Sequence, residues 1–165
     1  MRMAWHYTTG ERYGQILHSE AIRPAKVGHS AEERAIAWFS VRQDFEPSLL
    51  KPLVLDSGAV LHFTALQLRA VKGGVFRFGI AAEHLIPWRG EALRRVAGLH
   101  YLVSRALERD GARRGGRPWE WYGSLAAVPV ASCVVESMDE DGAWRSCATD
   151  ANRPFAVSSP EAVSR

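Results

Sequence analysis

The chain has 165 residues, 47% of them hydrophobic and 24% charged, a length and balance that suit one domain with its own core and exclude wholesale disorder. A formal net charge of +3 is too mild to imply nucleic acid by itself. Two cysteines, Cys133 and Cys147, make no disulfide framework and fit no common zinc spacing, so they read as reduced thiols in a cytoplasmic protein with no metal site.

Residues 1–5 do not continue into the apolar stretch of a secretory signal, and no segment approaches the length of a membrane span. Of the 21 basic residues only Lys26, Lys51 and Lys72 are lysines. Arginine suits bidentate phosphate contacts; a GC-rich coding bias produces the same excess.

In chain order, Trp5-His6-Tyr7 reads as a strand with a polar His inside it, running into a helix start at Thr8-Thr9-Gly10-Glu11. Thr8 is expected as the N-cap and Glu11 as its capping-box partner. Tyr13, Ile16 and Leu17 continue with an apolar face at helical spacing. A strand end opening onto a helix N-terminus is a common place for an anionic or polar ligand, and His6 would be within its reach.

Residues 19–30 read as a loop with Ile22 buried and Pro24 and Gly28 as breakers. Residues 35–40 form a second apolar strand ending at Ser40. Residues 43–52 are irregular; Asp44 and Glu46 lie close enough for acid–base work but read as surface charges. Residues 60–63 are a weak strand, 64–71 a short helix or loop, and 75–80 an alternating strand after the Gly73-Gly74 turn. The strongest helix is expected over 91–109, with Gly111 as its stop.

Residues 113–118 form a basic loop, either simply solvated or a phosphate contact. Residues 119–123 and 125–135 supply two or three strands, 139–142 an acidic turn, and the tail reads as loose. The expected organisation is a domain over 1–148 and a loosely ordered tail over 149–165. The order of elements is mixed α+β, without the regular βαβ alternation of a doubly wound fold.

Three pieces now stand together: "HYTT" before a helix with "ILHSEAI", "WFS" at residues 38–40, and "PWEWYGSLAAVP" from residue 118. Their order and spacing, touching most of residues 4–136, resemble the ADP-ribosyltransferase superfamily, in particular its DNA-targeting toxin and RNA 2′-phosphotransferase branches. Where that family's H-Y-E pattern has a Tyr, this chain offers Trp38 and Phe39.

The resemblance implies a single α+β domain with a split, mostly antiparallel sheet. It also implies NAD as cosubstrate and transfer of ADP-ribose to a macromolecular acceptor, nucleic acid or protein. Breaking the nicotinamide–ribose bond develops positive charge on the ribose, which a nearby carboxylate stabilises. On the family's pattern Glu120 would be that carboxylate and His6 would bind a ribose hydroxyl. The Tyr7 backbone would hold the nicotinamide amide, Thr8 would line the site, Tyr13 or Phe39 would stack on the ring, and Ser40 would bond nearby. An arginine such as Arg23 or Arg77 would meet the pyrophosphate.

Each residue also has a plainer reading. His6 is otherwise a satisfied core histidine, Glu120 a solvated strand residue, and Trp38 and Phe39 ordinary core. Two further functions stay open: a non-catalytic binding module of the same fold that holds nucleic acid or a protein, and an enzyme that removes a terminal 2′-phosphate from RNA.

Overall fold

The computed structural model describes residues 1–28 and 30–147; the expected tail over 149–165 lies outside the described residues. The chain begins with β1 (Met3–Thr9), α1 (Gly10–Ser19), β2 (Ala21–Ile22) and β3 (Ala37–Ser40). The short hairpin β4 (Leu53–Val54) and β5 (Val60–Leu61) follows, then α2 (Ala65–Val71), β6 (Val75–Ala81) and β7 (Ile86–Pro87). Helices α3 (Ala92–Val96) and α4 (Tyr101–Arg113) precede the last strands, β8 (Trp121–Ser124), β9 (Val128–Pro129), β10 (Val134–Met138) and β11 (Trp144–Ser146).

Seven strands form one sheet in the order β11-β10-β6-β1-β3-β8-β7, antiparallel throughout. The expected α+β domain with a mostly antiparallel sheet is therefore what the chain forms. β1 sits at its centre because its register with β6 runs unbroken from Met3–Ala81 to Thr9–Val75. On the other side β1 and β3 share one register pair, Trp5 with Ser40. β3 then pairs with β8 over its whole length. The sheet is thus two well-bonded halves joined by a narrow seam.

Alternation along β1 divides its side chains between two faces. Ala4 belongs to the cluster with Phe39, Phe78 and Val135, against which Tyr13, Ile16 and Leu17 of α1 pack. Trp5 and Tyr7 point the other way. The Trp5 ring lies where a Cβ on Gly79 would stand, 2.4 Å from it, so β6 needs glycine there. Arg77 is buried on this face between the indoles of Trp5 and Trp144, 3.9 and 4.2 Å from their centroids, and donates to Glu136 at 2.6 Å and to the Gln43 carbonyl. A second cluster, Ile36, Trp88, Leu93, Leu99 and Trp121, fills the β3–β8–β7 half beneath α3 and α4.

Several local expectations are corrected. Helix α1 is capped by Thr9, without a side-chain cap bond, and not by a Thr8–Glu11 box. The strand claims Thr8 and Thr9 through pairing with Phe76 and Val75, and Gly10 N–H donates to the carbonyls of Lys72 and Gly74.

The helix expected over 91–109 is two helices. Gly98 adopts φ +65°, a left-handed conformation that ends the first, and the His100 ring accepts from Leu102 N–H to start the second. Gly111 does not stop α4. It lies within the helix, where the Trp121 ring occupies the space a Cβ would need. Residues 118–120 form a 3-10 turn rather than strand, because Pro118 begins a helical turn. The capping box at Thr64 and Gln67 makes 65–71 a helix.

Candidate functional site: a cleft at the sheet seam

Beyond the Trp5–Ser40 pair, β1 and β3 part, and His6 spans the opening. Its Nδ1 lies 2.8 Å from the Trp38 carbonyl. A carbonyl only accepts, so Nδ1 carries the proton and the Nε2 of the neutral ring is left as an acceptor. Burial lowers the His6 pKa below its ordinary value, and the charge of Arg12 adds to this against the opposing effect of the Trp38 carbonyl. Its ring centroid lies 5.7 Å from that of Phe39.

Two cavities meet at His6, sharing also Trp38, Lys51 and Leu107 as walls. One, of about 300 Å³, is aromatic, lined by Trp5, Tyr7, Trp38, Phe39 and Trp121 together with Ser40, Glu46 and Asp110. The other, of about 580 Å³, is cationic. Arg12, Arg23, Lys26 and Lys51 line it, no carboxylate does, and Thr8, Gln15 and Ser19 add polar groups. Arg12, Gln15 and Ser19 come from one stripe of α1, spaced three and four residues apart.

Three buried polar atoms of residues lining this cleft have no partner, Trp121 Nε1 among them. Thr8 is 2% exposed and its hydroxyl is unbonded. Glu46 is 5% exposed; its Oε1 accepts from Ser48 N–H at 3.3 Å and its Oε2 is unbonded. Buried polar groups are nearly always satisfied, so each such atom calls for an explanation. The Tyr7 hydroxyl donates to the Arg42 carbonyl at 2.6 Å, and burial pushes its pKa up to about 12 against the pull of Arg77. Ser40 Oγ accepts from Arg42 N–H.

Of the residues singled out from sequence, His6, Tyr7, Thr8, Phe39 and Ser40 come together along the seam. Arg23 joins them in the cationic cavity. Tyr13 does not: its ring stacks on Phe76 at 3.9 Å and packs beside Phe78. Arg77 is not free for a phosphate, being held by Glu136 and two indoles.

Glu120 closes the β3–β8 ladder, its carbonyl accepting from Val41 N–H. Its carboxylate faces Arg117 at 3.5 Å, one oxygen is buried without a partner, and the residue lines neither cavity. Sequence reasoning missed Arg12, Lys26 and Lys51 and took Glu46 for a surface charge. The i, i+3, i+7 run of Arg12, Gln15 and Ser19 was a usable signal; nothing around Glu46 announced its burial.

Among the described residues, no group of three or more His, Cys, Asp or Glu stands close enough to hold a metal ion. None of their helices is long and apolar enough to cross a membrane. Comparison with protein-family models, curated proteins and solved structures gave no match to this chain.

Proposed function

We propose that the chain transfers ADP-ribose from NAD to a macromolecular acceptor, using the cleft at the β1–β3 seam. The observation that carries this is His6, set across the seam between an aromatic cavity and a cationic one. A dinucleotide asks for that pairing: flat rings want aromatic walls, and a diphosphate wants cations and polar donors. The unbonded Thr8 hydroxyl and the lone pair of His6 Nε2 are among the unused polar groups such a molecule would engage.

NAD supplies an activated ribose whose nicotinamide departs. His6 Nε2 accepts from a ribose hydroxyl and so fixes the sugar. Arg12, Arg23 and Lys26 hold the diphosphate. Phe39 and the tryptophans wall the ring end and exclude water. The carboxylate among those walls with a buried, unpartnered oxygen is Glu46, and we assign it the charge-stabilising role that the family resemblance gives to Glu120.

Release of nicotinamide from NAD, followed by chromatography in the presence of protein and nucleic-acid acceptors, tests this. Release by the wild type and its loss in His6→Gln support the reading. The binding-module alternative is favoured by one observation, that Glu120 stands outside both cavities. It predicts no release with any acceptor.

A further inference from the structure

A third cavity, of about 560 Å³, lies away from the seam, between residues 88–91, α4 and the Pro118–Glu120 turn. Its floor includes the buried Trp88, whose Nε1 donates to Glu108 at 2.9 Å. On its rim stands Trp119, which is 62% exposed. Each of the other five tryptophans is at least partly buried. Trp119 is an indole that the core does not use, carried on a 3-10 turn that Pro118 begins, and exposed tryptophans of this kind are enriched at interfaces.

Both signs of charge line the groove, but the charge left unpaired is positive. Glu108 is already engaged by Arg105 at 2.6 Å and by Trp88, and Glu91 by Arg94 and Arg95. Arg89 and Arg109, both exposed and both lining the groove, make no ion pair among the described residues.

We propose that this groove docks single-stranded nucleic acid, with a base stacked on Trp119 and neighbouring phosphates on Arg89 and Arg109. The combination of an exposed aromatic platform and free guanidinium groups matches an unpaired base joined to a phosphodiester. A duplex hides the base faces the indole needs. An acidic peptide would use the arginines but gain little from the ring. Serving as the acceptor in the reaction above rests on that reading, but the docking does not.

The test is fluorescence anisotropy of a labelled oligothymidylate about a dozen nucleotides long, without NAD, so that failure here and failure of NAD cleavage are separate results. Trp119→Ala should weaken binding at least about five-fold, and Trp119→Phe should restore most of it, as expected for loss of one base–aromatic stack. Arg89→Gln with Arg109→Gln should make the dependence of log K on log salt shallower by about 1.4, the share of two phosphates on a single strand. The duplex of the same sequence should bind more weakly and ignore Trp119. Wild-type protein that fails to bind, Trp119→Ala that binds as well as wild type while its melting temperature is unchanged, or an acidic peptide that competes as well as the oligonucleotide would each overturn the proposal.

Discussion

Thr8→Val changes one atom of the cleft and should move stability and ligand affinity in opposite directions. Thr8 is on the central strand, 2% exposed, and its hydroxyl has no hydrogen-bond partner. Valine keeps the β-branched shape and fits the strand at least as well. Removing an unsatisfied buried hydroxyl without leaving a cavity should recover about 1–2 kcal/mol of its desolvation cost. For a domain of this size that raises the melting temperature by about 2–8 °C. If the hydroxyl is unbonded because it serves a ligand, NAD should bind about 3- to 12-fold more weakly, the worth of one net hydrogen bond. Differential scanning calorimetry with and without NAD reads both effects. A fall in melting temperature would mean that the hydroxyl is bonded within the fold. A rise with unchanged NAD affinity would remove Thr8 from the site.

Glu46→Gln should slow nicotinamide release by about two to three orders of magnitude with little change in NAD affinity, because the lost charge acts in the transition state. Glu120→Gln should leave turnover within about three-fold, and the reverse pattern in single-turnover assays would return the role to Glu120. His6 has a lowered pKa in the fold, so below the ordinary histidine value the unfolded chain binds the proton first. Its contribution to stability is therefore present above about pH 6.5 and lost progressively as pH falls from there through the lower folded-state value, and His6→Gln should flatten the acid limb of stability against pH. Glu136→Ala strands the buried Arg77 guanidinium and should cost about 3 kcal/mol in denaturant unfolding, whereas Arg77→Met with Glu136→Leu should recover most of it.

The central strand, its His and the following helix were legible because alternation and helical spacing change over within a few residues at Thr9-Gly10. β6 was equally plain, since Phe76, Phe78 and Ile80 lie on one face. The break at Gly98 was hidden because Leu93, Ala97, His100 and Val103 follow steps of three and four residues across it, and only backbone geometry separates the two helices. Trp119 and Glu120 read as strand because aromatic residues favour sheets, yet Pro118 starts a turn and leaves the indole outside. The cleft depended on contacts distant in sequence. Lys51 and His6 come to line the same cavities only through the tertiary fold, and Glu46 is buried because the loop at Gly116 closes over it, where a Cβ would stand 2.9 Å from its Oε1.

The most direct test of the central claim is a thermal-shift titration with NAD on the wild type and on Arg12→Gln with Arg23→Gln. The wild-type melting temperature should climb with the logarithm of NAD concentration once the dissociation constant is passed, and the double variant should lose most of that climb while folding normally. A flat wild-type curve up to millimolar NAD, or a climb that the double variant keeps in full, would contradict a dinucleotide site at the β1–β3 seam.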